Sequence, residues 1–90
     1  FLMSFLANWF GAKYDDKQLV SQATKSIAAD PLISDPTALV VTSKKGVITL
    51  GGIVPKVQEK DRIEAVVRNA LTNVGLKHAR LVNELKLAHR

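Results

Sequence analysis

The clearest pattern in the chain lies between Leu39 and Val54, where Leu39 and Val41, and later Ile48 and Leu50, alternate with polar or differently facing neighbours. A period of two is typical of β-strands that bury one face. The segment therefore predicts two antiparallel strands joined as a hairpin. The positions expected to face the core are Leu39, Val41, Ile48 and Leu50.

Glycines stand at two critical points of this hairpin. Ser43–Gly46 supplies the turn, and Gly46 can adopt the positive φ that closes a loop of about three to four residues. Gly51 and Gly52 are expected to break the second strand just before Val54 and a helical segment.

A capping box predicts where the first helix of the domain begins. Asp15 stands as the N-cap and Gln18 follows three residues later, a pattern that satisfies free backbone N–H groups. The helix is expected to end near Ala29, because the residue before Pro31 disfavours the helical conformation. Its predicted core positions are Leu19, Ala23 and Ile27, with Val20 beside them.

A second helix is predicted from about Lys56 to Asn73. Pro55 suits its first turn, and Gly75 provides the signal that ends it. This second helix is predicted to bury Ile63, Val66, Val67 and Ala70 and to expose Lys60, Glu64 and Arg68.

In the connection over residues 30–37, between the first helix and the hairpin, Leu32 and Ile33 are expected to turn inward.

The last predicted element is a strand from Ala79 to Leu87. A hairpin followed by a helical crossover requires this strand to pair in parallel with a hairpin strand. The expected fold class is α+β in the order α-β-β-α-β, with two helices packed on one face of a three-stranded mixed sheet. The opposite face is expected to show Val40, Val47 and Val82 among polar residues, which makes it a candidate docking surface.

Residues 1–14 differ in composition from the domain predicted over residues 15–88. Leu2, Phe5, Leu6 and Trp9 recur at helical spacing and predict an N-terminal amphipathic helix that ends at Gly11. The apolar stretch is too short to cross a bilayer, which takes about 20 residues. Its apolar face suits a membrane interface, the domain's own core or a second copy of the chain.

The net charge of +5 is unevenly distributed. Residues 1–37 carry three lysines against four aspartates, whereas residues 38–90 carry ten basic residues against four acidic ones. A basic half favours anionic lipid, nucleic acid or an acidic partner. The chain contains no cysteine, which excludes disulfides and thiolate chemistry.

Candidate catalytic and metal-binding residues are few. Neither His78 nor His89 has an acidic residue at a spacing typical of a catalytic pair, so neither predicts nucleophilic catalysis. Asp30 and Asp35 flank a proline loop where carboxylates could meet a hard cation, although turn formation explains them as well. A G-x-x-G loop and an aromatic platform, which single-stranded nucleic acid recognition uses, are both missing. We therefore predict no enzyme activity, no cofactor, no metal site and no nucleic-acid partner.

From Asp16 to Leu87 the chain resembles the BON domain, a bacterial module named for osmotically inducible and nodulation-related proteins. The resemblance rests on the hairpin pattern, on the helix that follows it and on the closing run from Val74 to Leu87. The matching runs are Leu39-Val40-Val41, Ile48-Thr49-Leu50-Gly51-Gly52-Ile53-Val54 and Leu81-Val82-Asn83-Glu84-Leu85-Lys86-Leu87. Departures from the pattern are Lys56 in place of a small polar cap and one or two extra residues between Gly75 and Leu81.

The resemblance implies a binding module of the bacterial cell envelope, periplasmic and membrane-associated, with stress-linked relatives. The implied task is docking to anionic phospholipid or to an envelope partner. The residues expected to carry it are Phe5, Trp9, Lys44, Lys45, Lys60 and Arg68. The alternatives are an oligomeric assembly module of a larger envelope machine and, if Met3 is the native start, a cytoplasmic ion-responsive protein.

Overall fold

The computed structural model describes residues 14–88, in which two helices cover one face of a mixed sheet. The described elements are α1 (Asp16–Ala29), a 3-10 turn (Pro36–Ala38), β1 (Leu39–Lys44), β2 (Val47–Val54), α2 (Val57–Val74), β3 (Arg80–Asn83) and β4 (Lys86–Leu87). The α+β class and the order of elements are confirmed. The predicted N-terminal helix lies outside the described residues.

The sheet contains four strands within the described residues, where three were predicted. Strand β1 pairs antiparallel with β2, while β3 and β4 both pair parallel with the other side of β2. The expected strand Ala79–Leu87 is thus divided at Glu84 and Leu85. Both segments keep the same register on β2, with Leu50 opposite Asn83 and Ile53 opposite Lys86, and between them the side-chain oxygen of Asn83 accepts the backbone N–H of Leu85 at 3.1 Å.

The core lies between the helices and the sheet, and most of its predicted members are confirmed. Leu71 is fully buried but was not among the residues predicted. Val66 and Ala70 are half-buried instead, so the helix is rotated slightly from the expected orientation. The buried apolar residues are Leu19, Ala23, Ile27, Ile33, Ile48, Leu50, Val54, Ile63, Val67, Leu71 and Leu85.

The helix ends agree closely with the sequence signals. The Oδ1 atom of Asp15 accepts the backbone N–H of Gln18 at 3.1 Å, which confirms the N-cap of α1. Gly75 ends α2 with a left-handed φ of 73°, and Lys56 begins it without a side-chain cap. In the connection before β1, Ile33 is buried as expected, but Leu32 is exposed and its prediction was wrong.

The hairpin turn is tighter than predicted. Lys44 pairs with Val47, which leaves a loop of only Lys45 and Gly46. Both residues have positive φ, 50° for Lys45 and 83° for Gly46. A two-residue loop of this kind matches the right-handed twist of the flanking strands, which explains its preference over a longer connection.

Strand β2 continues through Gly51 and Gly52, contrary to the prediction that these glycines break it. Gly52 adopts a φ of 121°, and a Cβ atom there would clash with the carbonyl oxygen of Ala38. Glycine is needed because the chain entering β1 crosses close to this backbone. The pair therefore permits a close approach and does not end the strand.

Candidate functional site

The hairpin turn is fastened to the start of α1 by the carboxylate of Asp16. This carboxylate accepts the hydroxyl of Ser43 at 2.7 Å and the backbone N–H groups of Lys45 and Gly46 at 2.8 and 2.9 Å. The N–H of Gly46, followed by the hydroxyl of Ser43, lowers the pKa of Asp16 below its usual 3.8. The charged carboxylate thus holds a turn that carries two exposed lysines, Lys44 and Lys45.

Tyr14 packs against the same turn. Its ring occupies the space beside Gly46, where an added Cβ atom would come within 2.5 Å of the ring. Tyr14 also packs against the edge of the hydrophobic core. The chain that precedes Tyr14 therefore joins the domain at the hairpin turn.

The start of β3 meets the turn from the other side. The carbonyl oxygen of Gly46 accepts the backbone N–H groups of Ala79 and Arg80 at 2.7 and 3.3 Å. In the sheet register, Val47 stands between Lys44 and Arg80, so the Cα atoms of these two basic residues are about 10 Å apart. Four exposed basic residues gather here, and we call them the turn-end cluster: Lys44, Lys45, Lys77 and Arg80.

No member of the turn-end cluster forms an ion pair within residues 14–88. Lys77 and Arg80 were not among the predicted site residues. The run Lys77-His78-Ala79-Arg80 is basic in the sequence, but its proximity to the hairpin depends on the fold. Four basic side chains without an ion pair among the described residues give this end of the domain a positive potential.

Lys60 and Arg68 lie apart from the turn-end cluster. Lys60 borders a surface groove of about 580 Å³ near the end of β2, together with Ile53, Lys86 and Leu87. Val47 is the first residue of β2 and Ile53 the last but one, so the two are about 20 Å apart. The structure therefore brings Lys44 and Lys45 together but does not bring Lys60 into the same patch.

Arg68 is engaged in a pair on the surface of α2. Its Nη2 atom lies 2.7 Å from the Oε2 atom of Glu64. The amide of Asn83 and then Arg68 lower the pKa of Glu64 below its usual 4.5. The guanidinium charge of Arg68 is therefore largely balanced before any ligand arrives. Phe5 and Trp9, the remaining predicted residues, lie outside the described part of the chain.

Other polar residues serve local structure. Asp30 accepts the backbone N–H of Leu32 and forms an ion pair with Arg62 at 2.9 Å. Asp35 accepts the backbone N–H and the hydroxyl of Thr37. These contacts account for the two aspartates that flank the proline loop. Within residues 14–88, no three ligand-type side chains are grouped for a metal ion.

None of the helices described over residues 14–88 combines the length and the apolar composition needed to cross a bilayer. The structure thus describes a small α+β domain with basic residues gathered at one end. A search of the curated proteins found no match to the chain.

The family model of the BON domain matches residues 15–76, more than half of the chain, and the chain belongs to the BON domain family. Strands β3 and β4 lie beyond the matched residues but complete the same sheet. BON domains form a non-catalytic family of binding modules associated with phospholipid and with the cell envelope.

Proposed function

We propose that this chain docks on the surface of anionic phospholipid membranes through the turn end of the domain. The turn-end cluster faces the headgroups, and Phe5 and Trp9 from the preceding segment enter the lipid–water interface. The observation that carries the proposal is the contact of Tyr14 with Gly46. Because of that contact, the point where residues 1–13 join the domain lies beside Lys44 and Lys45.

The electrostatic contribution of the basic residues and the apolar contribution of the aromatic side chains are both of a size compatible with reversible docking. A basic residue near an anionic surface contributes about 1 kcal/mol, so the four members of the cluster contribute roughly 4 kcal/mol together. Insertion of aromatic side chains adds to this through burial of apolar area. The electrostatic part is screened by salt over a Debye length of about 10 Å at 0.1 M.

Lys60 and Arg68 have smaller roles in this proposal than the sequence pattern suggested. Lys60 is near the opposite end of β2, and Arg68 already pairs with Glu64. A periplasmic, envelope-associated location belongs to the same proposal, since it is where such a membrane partner would be met. The family association with phospholipid supports the choice of ligand.

The test is co-flotation of the 90-residue chain with liposomes of neutral lipid or of mixed neutral and anionic lipid. We expect flotation with anionic liposomes only, and less of it at physiological salt than at low salt. The variant Lys44→Gln with Lys45→Gln removes two cluster charges and should weaken partitioning about 10- to 30-fold.

A matched control removes two charges elsewhere. Lys25 and Lys56 are exposed and lie outside the turn-end cluster, so Lys25→Gln with Lys56→Gln should change partitioning less than about threefold. Equal losses in the two double variants would show that net charge alone attracts the chain. If the unaltered chain did not float with anionic liposomes, the proposed lipid docking would be wrong.

A further inference from the structure

Strand β1 forms an open edge of the sheet, because within residues 14–88 it pairs only with β2. The two-residue turn makes Lys44 and Val47 a hydrogen-bonded pair, and such pairs alternate with unbonded ones along an antiparallel ladder. Every second residue of β1 therefore directs its backbone N–H and carbonyl groups away from β2. These residues are Leu39, Val41 and Ser43.

Most of these outward groups have no backbone partner within residues 14–88. The N–H of Leu39 donates to the carbonyl oxygen of Pro36. The N–H groups of Val41 and Ser43 and all three carbonyl groups pair with no other backbone group of the described chain. Proteins usually protect such an edge with charged residues, proline or a bulge. From Leu39 to Ser43, β1 contains none of these, and its register on β2 is continuous.

The opposite edge of the sheet is interrupted. Strands β3 and β4 are separated at Glu84 and Leu85, and charged side chains follow one another along this edge at Arg80, Glu84 and Lys86. Charged side chains and short strands oppose pairing with another chain. Among the described strands, β1 is therefore the one that offers a continuous template with no charge before Lys44.

An apolar groove of about 330 Å³ lies beside the same edge. Helix α1 contributes Thr24, Ile27 and Ala28 to its lining, and β1 contributes Leu39 and Val41. The side chains of these two strand residues pack against the core on the helix side of the sheet. The residues with outward backbone groups are thus also residues whose side chains line the groove.

Helix α1 overhangs this edge. It packs against β1, whereas α2 packs against β2, β3 and β4. Packed helices lie about 8–10 Å apart and neighbouring strands about 4.8 Å apart, so α1 lies over β1 and the space beside it. An antiparallel pairing with β1 of a second copy would place both α1 helices on one side of the seam, closer together than about 8 Å. A single extended segment avoids that collision.

We propose that the edge of β1 and the groove under α1 bind an extended peptide of another protein, which adds to the sheet as a further strand. In this mode of recognition, main-chain hydrogen bonds supply affinity, and pockets for alternate side chains supply specificity. The peptide runs antiparallel to β1, which is the slightly more stable arrangement. The proposal goes beyond membrane docking, and its test uses no lipid.

The register of β1 sets the chemistry of the peptide. Peptide residues opposite Leu39, Val41 and Ser43 lie on the same face as these residues, so they turn under α1 and should be apolar and β-branched. The peptide residues between them project from the other face of the sheet, beside Val40 and Thr42, and should be neutral and polar. The peptide therefore alternates valine-like and threonine-like side chains.

Charge determines the composition of the peptide at one end. Lys44 ends β1, and Lys17 precedes Thr24 by about two turns on the same side of α1. Both lysines are exposed and form no ion pair within residues 14–88. Asp15 and Asp16 also lie at this end, but they already accept hydrogen bonds from α1 and from the turn. Two acidic residues at the amino end of an antiparallel peptide lie opposite Lys44 and beside Lys17.

The test adds a capped heptapeptide, Glu-Glu-Val-Thr-Val-Thr-Val, to the isotopically labelled 90-residue chain. Amide hydrogen exchange followed by NMR provides the measurement. In the free chain, we expect fast exchange at Val41 and Ser43 and slow exchange at Thr42, whose N–H bonds to β2. Saturating peptide should slow exchange at Val41 and Ser43 at least about tenfold and change Thr42 little.

Two methylated peptides distinguish strand pairing from unspecific adsorption. N-methylation of the central valine removes the N–H that donates to the carbonyl oxygen of Val41 and should weaken binding about tenfold or more. N-methylation of the threonine before it removes an N–H that points away from β1. That peptide is the matched control and should bind within about threefold of the unmodified one.

Substitutions in the protein test the groove separately from the edge. Thr24→Gln with Ala28→Gln fills the groove from exposed positions of α1 and should weaken binding at least about fivefold. Ala65→Gln with Thr72→Gln makes comparable changes at exposed positions of α2 and should leave binding unchanged. Circular dichroism must show that both variants are folded.

A charge variant tests the direction of the peptide. Lys17→Gln should weaken binding of the peptide about threefold, as expected for an exposed ion pair. Lys56, exposed at the start of α2 and distant in sequence from the groove, provides the control, and Lys56→Gln should have no effect. A heptapeptide with its two glutamates at the carboxyl end should bind more weakly and should not respond to Lys17→Gln.

Several outcomes would overturn the proposal. They are equal weakening by the two methylated peptides, binding that ignores the groove substitutions, and no protection of Val41 and Ser43 at any peptide concentration. Slow exchange of these two amides in the free chain would show that the edge is already covered. Protection lost on dilution would assign that cover to a second copy, and protection independent of concentration would assign it to the same chain.

Discussion

Gly52 shows how one residue decides the path of the chain. Its φ of 121° is rarely available to other residues, and a side chain would meet the backbone of Ala38 and Leu39. Its neighbour Gly51 has room for a side chain, because a Cβ atom added there would lie 4.0 Å from its nearest neighbour, the carbonyl oxygen of Val40. The two adjacent glycines therefore have different structural roles.

We expect Gly52→Ala to lower the free energy of unfolding by about 2–4 kcal/mol, because backbone atoms cannot move aside cheaply. Gly51→Ala is the matched control and should stay within about 1 kcal/mol of the unaltered chain. Urea denaturation followed by circular dichroism measures both. Similar effects at the two positions would contradict the close approach of Ala38 to Gly52.

Asp16 is the second decisive residue, and its effect depends on pH. A carboxyl whose pKa is lower in the folded than in the unfolded chain adds stability above the unfolded pKa, and this stability is lost as pH falls through the folded pKa. Asp16 and Glu64 both have lowered pKa values, from 3.8 and 4.5. The domain should therefore lose stability as pH falls below about 5.

We expect Asp16→Asn to lower the melting temperature at pH 7 and to make its decline in acid less steep. Asp61 is exposed on α2 and forms no side-chain hydrogen bond or ion pair within the described residues. Asp61→Asn should therefore leave both quantities nearly unchanged. Thermal melts between pH 7 and pH 3 measure the two variants. If the melting temperature of Asp16→Asn fell with pH as steeply as that of the unaltered chain, the ionised carboxylate of Asp16 would not be what holds the turn.

At the scale of elements, Asn83 connects the closing strands to α2. Its amide nitrogen donates to the carbonyl oxygen of Lys60 at 3.2 Å and to the Oε1 atom of Glu64 at 3.0 Å. Its oxygen accepts the N–H of Leu85 at 3.1 Å. One side chain thus fastens the gap between β3 and β4 to the helix beneath it.

Asn83→Ala should reduce the free energy of unfolding by about 1–3 kcal/mol, since it leaves partly buried partners without hydrogen bonds. Hydrogen exchange at the Leu85 amide should also become faster. Asn69, exposed on α2, provides the control, because Asn69→Ala removes an amide from a solvent-facing position. Unchanged protection of Leu85 in the Asn83 variant would disprove the connecting role.

At the scale of the whole molecule, the charges are polarised. The strand segments and their turn carry Lys44, Lys45, Lys77, Arg80 and Lys86 against Glu84, whereas the helices and the loop between α1 and β1 carry nearly balanced charges. The excess positive charge therefore lies with the sheet. In the proposed docking, this distribution, more than the net charge of +5, would orient the domain on an anionic surface.

The location of charge should outweigh its amount. Lys60→Gln with Arg68→Gln changes the net charge as much as the Lys44 and Lys45 pair does, but neither residue belongs to the turn-end cluster. We expect it to weaken partitioning to anionic liposomes by less than about threefold, against roughly tenfold or more for Lys44→Gln with Lys45→Gln. Flotation across a salt series compares the two. A larger loss from the Lys60 and Arg68 variant would relocate the docking surface to α2.

Much of the fold follows from local patterns. The capping box at Asp15, the stop before Pro31 and the left-handed Gly75 depend on residues a few positions apart, so the sequence alone predicts them. The period of two through Ile48 and Leu50 likewise predicts the core face of β2. The prediction named Ala70 as a core residue, whereas the adjacent Leu71 is the buried one. This error of one position arises because several neighbouring positions of α2 are apolar.

The candidate site was predictable only in part. Lys44 and Lys45 are adjacent in the sequence, whereas Lys77 and Arg80 join them because Gly46 accepts the backbone N–H groups of Ala79 and Arg80. The pairing of Arg68 with Glu64 fits the helical spacing of four residues. The sequence does not reveal that Asn83 holds the same carboxylate.

By itself, the sequence determined the helices, the hairpin, the main core positions and membership of the BON domain family, because these depend on short-range periodicity and local capping. Only the tertiary structure decided the course of β2 through Gly52, the tie between Asp16 and Gly46 and the gathering of the turn-end cluster. Asp16 and Gly46 are 30 positions apart. Contacts across such a separation form only after the chain has closed around its core, and no local pattern specifies which partners will meet.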